Sequence, residues 1–445
     1  MGEQKECTVE KRLFFRHALL PGGWAENVAL RIGEGRITAV ETGAAAGGPA
    51  HGIGLPGMAN LHSHSFQRAM AGLTEMRGAA NDSFWTWREL MYRFALKMTP
   101  DDVEVVATQA FIEMLEGGFT SVAEFHYLHH APDGREYTDI GEMASRIAAA
   151  AGQVGIELTL LPVFYAHSGF GGLPPAPSQR RFINNLDSYG RLYERCAAIS
   201  AAGVAPHSLR AVTPEELAQL AQLAGERPVH IHIAEQTGEV EACLAWSGLR
   251  PIEYLLRHAT VSPNWCLVHA TQADDSELAG MAATGAVVGI CPITEANLGD
   301  GIFPTRGYSG AWGIGSDSNV LIGVAEELRM LEYSQRLLYR NRNVMASDVQ
   351  RATATSLYLS AQAGGAQALG AQGGLAVGNI ANIVALELDD PDTALARWVF
   401  ARRRPVVRDV WVRGEQRLAG GQHPMAEKAE QQFETVLRKL LQASP

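Results

Sequence analysis

Histidine and acidic residues at the ends of apolar segments are the part of this sequence best suited to chemistry. His62 and His64 are two positions apart at the end of segment 54–62. Alternate side chains of a strand point to the same face, so both imidazoles can face one site. Three later apolar segments end in residues of the same kind: His232 with Glu235, His269, and Asp317. Three histidines and one carboxylate suit a divalent metal ion that keeps one coordination position for water.

A choice between His230 and His232 follows from their place on the predicted strand. Both lie on the same face, but Glu235 follows His232 after three residues, at the expected strand end. We therefore expect His232 to bind the metal and His230 to pack in the interior. A further cluster receives no ligand role because four ligands already complete the site: His126, His129 and His130. The predicted metal ligands are His62, His64, His232 and Asp317.

Eight short apolar segments alternate with amphipathic segments and would have to position these residues. The apolar segments are 54–62, 120–127, 157–165, 204–212, 228–235, 266–271, 286–292 and 313–318. Most of the segments between them have helical spacing, as in TPDDVEVVATQAFIEMLEGG, with a Thr-Pro start and a Gly end. This alternation predicts an α/β fold, a (β/α)8 TIM barrel, with its chemistry at the carboxyl ends of the strands. An open doubly wound sheet is the alternative, but its phosphate-binding glycine pattern is missing.

The two ends of the chain have a different sequence pattern. Short alternating strands occupy the first 55 residues, with a hairpin turn at Gly33 to Gly35, and similar strands return in ANIVALEL and RDVWVRGEQRLAGG. We expect both ends to form one small β-sandwich domain. The predicted divisions are 1–55 and 373–445 for that domain and 56–372 for the barrel. A C-terminal helix is predicted over MAEKAEQQFETVLRKLLQ.

Composition excludes several classes of function. The 445 residues carry a net charge of −11, which gives no basis for binding nucleic acid or an anionic membrane. No apolar run is long enough for a membrane span. Five cysteines without a CxxC pair fit a reducing compartment, and no apolar signal segment is found, so we expect a cytoplasmic protein. Lysine is absent between residues 98 and 427, which excludes a Lys nucleophile or a carbamylated Lys ligand there.

Several motifs together resemble one family. HSH after the first predicted strand, HxAE after the fifth, His after the sixth and SD after the eighth resemble the amidohydrolase superfamily, in its mononuclear deaminase branch. The two-metal branches usually bridge their ions with a carbamylated Lys, which the fourth segment, VAPHSLRAV, lacks. Longer strings such as NDSFWTWREL and TEANLGDG resemble bacterial N-formimino-L-glutamate deiminases of histidine degradation, over nearly the whole chain. Asn319 stands where some relatives have His, and we assign it no role.

The resemblance implies hydrolysis of N-formimino-L-glutamate to N-formyl-L-glutamate and ammonia. One divalent ion, expected to be Zn²⁺, lowers the pKa of its bound water to ~7, so that this water can attack the formimino carbon. His269 and Asp317 are the candidates for accepting the water's proton. Glu235 is the candidate for carrying a proton to the formimino nitrogen. The family also implies a homodimer.

The implied substrate is a small dicarboxylate, and arginine suits it because a guanidinium stays charged and can bind a carboxylate through two hydrogen bonds. Arg210 lies at the end of a predicted strand beside His207. Arg88 is assigned mainly by the resemblance, as a residue of the same site. Glu295 and Asn297, after the seventh segment, are expected to support the site or shape its loop. By the resemblance, the residues that bind the glutamate part are Gln67, Arg88, Tyr127, His207 and Arg210.

Three other functions are compatible with parts of this pattern. Another deaminase of the branch, acting on guanine, cytosine or a chlorinated triazine, would have a similar metal site but no need for paired arginines. A barrel that has lost catalysis and serves as an assembly protein would usually have lost metal ligands. A dihydroorotase-like two-metal hydrolase is disfavoured by the missing lysine.

Overall fold

The structure, a computed structural model, describes residues 10–76, 84–401 and 406–442. The start of the NDSFWTWREL motif, residues 81–83, therefore lies outside the described residues. The strands are β1 Lys11–Leu20, β2 Gly23–Gly33, β3 Arg36–Glu41, β4 Ala50–Pro56, β5 Met58–Ser63, β6 Phe119–His126, β7 Glu157–Phe164, β8 Ala201–Ala202, β9 Ala205–Pro206, β10 Val229–Ile233, β11 Trp265–His269, β12 Val287–Ile290, β13 Ala311–Ile314, β14 Ile383–Leu386, β15 Val407–Val412 and β16 Glu415–Leu418.

The α-helices occupy most of the segments that have helical spacing. They are α1 Phe84–Ala95, α2 Pro100–Glu116, α3 Glu142–Val154, α4 Leu186–Ile199, α5 Pro214–Ala224, α6 Thr237–Ser247, α7 Pro251–His258, α8 Asp275–Thr284, α9 Pro292–Leu298, α10 Val324–Tyr339, α11 Thr353–Ala368, α12 Pro391–Phe400 and α13 Ala426–Gln442. Short 3-10 helices occupy Ser65–Met70, Pro177–Gln179 and Thr305–Gly307.

The Thr-Pro helix starts form as predicted. Thr99 precedes α2 and accepts a hydrogen bond from the Asp102 N–H, while the Asp102 carboxylate accepts one from the Thr99 N–H at 2.9 Å. Thr213 and Glu216 form the same reciprocal cap at the start of α5. Such caps stabilise a helix by about 1 kcal/mol, since they satisfy N–H groups that the helix cannot.

The middle of the chain is built from parallel strands and helices in alternation. β5, β6, β7 and β8 form one parallel sheet, β9 pairs with β7, and β10 to β13 form a second parallel sheet. Single parallel bridges join Ser208 to His232 and Ser63 to Asp317, at edges where the two sheets meet. Each of the eight predicted apolar segments overlaps one of these strands. The predicted α/β organisation with parallel strands is therefore confirmed.

Three strand boundaries differ from the predicted ones. Segment 54–62 is divided between β4 and β5, because the chain passes Gly57 so close to β6 that a Cβ atom there would lie 2.2 Å from the Thr120 hydroxyl. Segment 204–212 contributes only Ala205–Pro206, since Pro206 has no N–H and the Ala211 N–H turns back to Ser208 O. In segment 313–318 the strand ends at Ile314, before the left-handed backbone of Asp317 (φ 46°).

The two ends of the chain form one seven-stranded sheet with the order β16-β15-β14-β4-β1-β2-β3. The sheet curls, since a Cβ atom at Gly414, after β15, would lie 2.5 Å from the Ile32 side chain of β2. The hairpin turn between β2 and β3 has left-handed φ angles at Glu34 and Gly35, as its position predicts. The predicted terminal helix is α13, and Lys439 on it contacts Asp102 of α2 at 2.7 Å.

Within the described ranges, every helix is either too short or too polar to cross a membrane.

Candidate metal centre and active site

Four predicted residues converge at the carboxyl ends of β5 and β10 and just beyond β13. His62 Nε2 lies 3.2 Å from His64 Nε2 and 2.9 Å from His232 Nε2. Asp317 Oδ1 lies 3.4 Å from His62 Nε2 and 3.2 Å from His64 Nε2. All four side chains are buried, and their donor atoms lie within 4.8 Å of one another. We call His62, His64, His232 and Asp317 the ligand group.

Hydrogen bonds on the far side of two imidazoles show that a cation fits the ligand group. The Nδ1 atoms of His64 and His232 donate to carbonyl oxygens, of Phe125 at 2.7 Å and of His207 at 3.0 Å. A neutral imidazole carries one proton, so the Nε2 atoms that face the centre are bare lone pairs. Burial lowers the pKa of His62 to about 3, which keeps this ring neutral as well. Lone pairs and a carboxylate oxygen pointing at one place favour a metal ion.

Backbone contacts hold the two ligand-bearing segments against each other. The His64 N–H donates to Asp317 O and the Asp317 N–H donates to His62 O, each at 2.9 Å. Asn319 adds bonds from its amide to His64 O and Asp317 O, both at 3.0 Å. Sequence reasoning gave Asn319 no role, because hydrogen bonds to a distant segment leave no pattern in the sequence. Burial opposes ionisation of Asp317, but electrostatic interaction with the neighbouring imidazoles of His62 and His64 holds the pKa of its carboxyl well below the usual range.

His269 stands beside the ligand group, at the end of β11. Its Nδ1 lies 3.2 Å from Glu295 Oε1, and its Nε2 lies 3.9 Å from Asp317 Oδ2 and 3.9 Å from Glu235 Oε1. Burial lowers the pKa of His269, but three carboxylates outweigh burial and raise the pKa to about 10. His269 and Asp317 both have left-handed backbone, φ 70° and 46°. Non-glycine residues adopt this conformation at a cost, and such positions concentrate at functional sites.

Glu235 follows β10, and hydrogen bonds of its backbone N–H and carbonyl groups fix its position. Its N–H donates to the Glu239 carboxylate at 3.2 Å, and its carbonyl accepts a bond from Gln272 Nε2 at 3.0 Å. Burial raises the pKa of Glu235, and the charges of His269 and Arg210 oppose this shift. A carboxyl group of this kind can gain and lose a proton closer to neutral pH than an exposed one.

The predicted substrate residues line one open cavity next to the ligand group. Gln67 Nε2 donates to Tyr127 Oη at 2.6 Å. The His207 ring lies 4.9 Å from the His232 ring, centroid to centroid. Two guanidinium groups therefore share a cavity with a possible metal centre. The predicted residues that line it are His64, Gln67, Arg88, Tyr127, His207, Arg210, His232, Glu235, His269 and Asp317.

The two histidine sites that sequence reasoning left outside the centre lie outside it in the structure. His230 Nε2 donates to Ala368 O at 2.8 Å, so this ring has a carbonyl partner in the interior. His126, His129 and His130, which we call the strand-six histidines, are buried at the end of β6 and just after it, and the Nε2 atoms of His129 and His130 donate to carbonyls. Glu295 supports the site through His269, whereas Asn297 ties the loop to Glu75 at 2.7 Å.

Sequence reasoning missed several residues of the cavity wall. They come from α1, from the segment after β7, from the end of α9 and from loops, and sequence reasoning assigned them no role. Trp87 lies within the NDSFWTWREL string. The additional lining residues are Trp87, Met91, Tyr92, Tyr165, Ser168, Phe182 and Leu298.

Comparison with protein families covers almost the whole chain. The model described as "Amidohydrolase family" matches residues 53–417. The model described as "Formimidoylglutamate deiminase HutF, N-terminal domain" matches residues 11–50. The two matches adjoin each other, one over the parallel strands and one over the first strands of the terminal sheet.

Individual relatives agree with these matches. A formimidoylglutamate deiminase of Pseudomonas aeruginosa is 51% identical over 96% of this chain and 99% of its own length. An 8-oxoguanine deaminase of the same organism is 28% identical over 76% of this chain and 74% of its own.

Solved structures show the same fold. A crystal structure of an amidohydrolase from Brucella melitensis superposes with a TM-score of 0.94 at 51% identity, covering 97% of this chain and 99% of that one. An adenosine deaminase from Xanthomonas campestris, solved with bound zinc, has a TM-score of 0.80 at 22% identity, covering 97% and 98%. At that identity the second likeness concerns the fold alone.

Proposed function

The chain belongs to the amidohydrolase family, and from this premise we propose that its cavity binds N-formimino-L-glutamate and hydrolyses it to N-formyl-L-glutamate and ammonia, a step of histidine degradation. The protein is a hydrolase of a carbon–nitrogen bond. The observation that carries the assignment is 51% identity to a formimidoylglutamate deiminase over nearly the full length of both chains. The placement of Arg88 and Arg210 in the cavity beside the ligand group supports a dicarboxylate substrate.

His62, His64, His232 and Asp317 would hold one divalent metal ion, which we propose to be Zn²⁺. Imidazole and carboxylate donors suit zinc, and the adenosine deaminase of Xanthomonas campestris, which has this fold, was solved with bound zinc. When bound, the ion supplies a water molecule acidic enough to act as a nucleophile near neutral pH.

Three residues of the chain move the protons of this reaction. Asp317 Oδ2 and His269 Nε2 face each other and would accept the proton of the attacking water. A divalent cation held by the ligand group would lower the pKa of His269 by electrostatic repulsion, so that its ring is neutral before the reaction. The carboxylates around His269 stabilise the imidazolium that it becomes. Glu235, with its pKa raised by burial, carries a proton to the formimino nitrogen. The carbon–nitrogen bond to that nitrogen then breaks, and ammonia leaves.

The remaining cavity residues hold the glutamate part. Arg88 and Arg210 neutralise the two carboxylates, and each can donate two parallel hydrogen bonds. Gln67, Tyr127 and His207 complete the contacts to this part of the substrate. A neutral purine or pyrimidine offers no carboxylate to either guanidinium group, so the arginine pair favours a dicarboxylate over a base.

The finer architecture is also a proposal. We propose that the parallel strands close into a (β/α)8 barrel over 56–372 and that 1–55 and 373–445 form a β-sandwich. The single bridges between the two parallel sheets and the curl of the terminal sheet support this. A cytoplasmic location and a homodimer are proposed on the expectations from cysteine usage and from the family.

Ammonia release by the purified protein tests the function. N-formimino-L-glutamate, guanine and cytosine are compared on one preparation whose metal content is measured. We expect ammonia from N-formimino-L-glutamate alone, with about one metal ion per chain. Release from a base, with none from N-formimino-L-glutamate, would contradict the substrate assignment while leaving the metal centre intact.

A further inference from the structure

A buried amide joins two tyrosines on the cavity wall. Gln179 Nε2 donates to Tyr165 Oη at 2.8 Å and to Tyr92 Oη at 3.3 Å. The orientation of this amide is fixed, because its Oε1 accepts a bond from the Ala176 N–H at 2.7 Å. A backbone N–H can only donate, so the NH₂ end of Gln179 must face the two phenols. Gln179 is 2% exposed, which keeps water from competing for these bonds.

The hydrogen count of this network leaves a donor for the cavity. Each phenol accepts a hydrogen bond from Gln179, and the amide nitrogen cannot accept one in return. Even a hydrogen bond from one of these hydroxyls to the other would use only one of the two phenolic hydrogens. At least one phenolic hydrogen must therefore point out of the network. Burial raises the pKa of Tyr165, so its hydroxyl keeps its proton.

Tyr165 packs against His207, which in turn packs against His232 of the ligand group. The Tyr165 ring is 4.6 Å from the His207 ring, and His207 in turn is 4.9 Å from His232. The Arg88 guanidinium lies 5.6 Å from the centre of the Tyr92 ring. Both Arg88 and Arg210 act electrostatically on the Tyr165 hydroxyl. A neutral donor thus stands beside two cations, at a distance from the reacting centre.

We propose that Tyr92 and Tyr165, positioned by Gln179, donate hydrogen bonds to the substrate carboxylate farther from the formimino group and so select a dicarboxylate. This inference rests on the proposed function. A carboxylate has only acceptor atoms, so it satisfies these donors, whereas a terminal carboxamide would turn hydrogens toward them or toward the arginines. Gln179 is a positioning residue, since it acts through the phenols.

The test compares two substrates that differ only at the distal group. Kinetics are measured for the wild type and for the Tyr92→Phe/Tyr165→Phe variant with N-formimino-L-glutamate and with N-formimino-L-glutamine. We expect kcat/KM for the dicarboxylate to fall about 10- to 100-fold, mainly through KM, because hydrogen bonds to a charged group are lost. For the carboxamide we expect a change of less than about threefold.

A matched control removes a phenol elsewhere. Tyr193→Phe deletes a hydroxyl that accepts a bond from Arg227 outside the cavity, and both substrates should react as with the wild type. Equal losses on the two substrates, or no loss on either, would overturn the carboxylate-binding role of the phenols. A wild-type enzyme that binds metal but releases no ammonia from N-formimino-L-glutamate would instead refute the proposed function, on which this inference depends.

Discussion

Two groups of buried histidines follow strands of the same fold, and only one of them is arranged to bind a metal. In the ligand group, the Nε2 atoms of His62 and His232 approach to 2.9 Å with the Asp317 carboxylate beside them. In the strand-six histidines, the Nε2 atoms of His129 and His130 point apart, to the carbonyls of different residues. The two groups do not differ in histidine content. They differ in the direction in which the ring nitrogens point.

Burial does not separate the groups either. It lowers the pKa of His62 to about 3, and it lowers the pKa of His126 to about 3 as well. Both rings are therefore neutral near pH 7. The difference is that bare nitrogen lone pairs meet a carboxylate in one group, whereas rings of the other satisfy backbone carbonyls or, for His126, lie 3.9 Å from the Cys196 sulfur. Convergence with negative charge, and not burial, predicts a metal site.

The largest effect is expected from a substitution within the ligand group. His232→Gln should release the metal and lower kcat/KM more than about 1,000-fold, because the nucleophile is lost with the ion. His230→Gln is the matched control, two residues earlier on the same strand, and should keep its metal and most of its activity. Metal analysis and ammonia release check both variants. Equal metal loss in both variants would contradict the assignment of His232, and not His230, as a metal ligand.

Substitution of His269 should impair the chemical step without loss of the metal ion. His269→Ala leaves the ligand group intact, so about one metal ion per chain should remain. Turnover should fall by about 10²- to 10⁴-fold, since a proton acceptor is missing. A fully active, folded variant would remove His269 from the mechanism.

Substitution of Arg210 should weaken substrate binding without affecting either histidine group. Arg210→Ala should lower kcat/KM for N-formimino-L-glutamate by about 100-fold, roughly 3 kcal/mol, through loss of a bidentate carboxylate contact. Metal content and melting temperature should stay near those of the wild type. Unchanged kinetics would mean that this guanidinium does not bind the substrate.

The smallest effect on activity is expected among the strand-six histidines. His126→Phe should change kcat/KM by less than about threefold, because this ring lies outside the cavity. Its effect should instead be on acid stability. The pKa of His126 is about 3 in the folded chain and ~6.5 in an unfolded one. Between these values the unfolded state binds the extra proton, so the free energy of unfolding falls as the pH falls.

The variant lacks that titration, and urea unfolding measures the difference. Going from about pH 6 to about pH 5, the free energy of unfolding should fall about 1 kcal/mol less in His126→Phe than in the wild type. His129 and His130 titrate in both proteins and cancel in the comparison. The same acid sensitivity in both would show that burial of His126 does not set its protonation.

The sequence by itself determined the chemistry-bearing residues, because local rules place them. The two-residue period of a strand puts His62 and His64 on one face, and the βα alternation puts His232, His269 and Asp317 at strand ends, where parallel strands bring side chains to one edge. Family motifs added Arg88, Gln67 and Tyr127. All of these line the cavity or the centre beneath it.

Tertiary structure alone decided which neighbours complete the site. His230 and His232 share a face in the sequence pattern. The position of Glu235 predicted His232 as the ligand, and packing brings His232 to His62 while His230 meets the Ala368 carbonyl. Tyr92, Tyr165 and Gln179 come from α1, from the segment after β7 and from a short helix, so nothing in sequence spacing joins them. Sequence periodicity describes the residues of a single helix or strand, whereas hydrogen bonds between distant segments form only once the chain has folded.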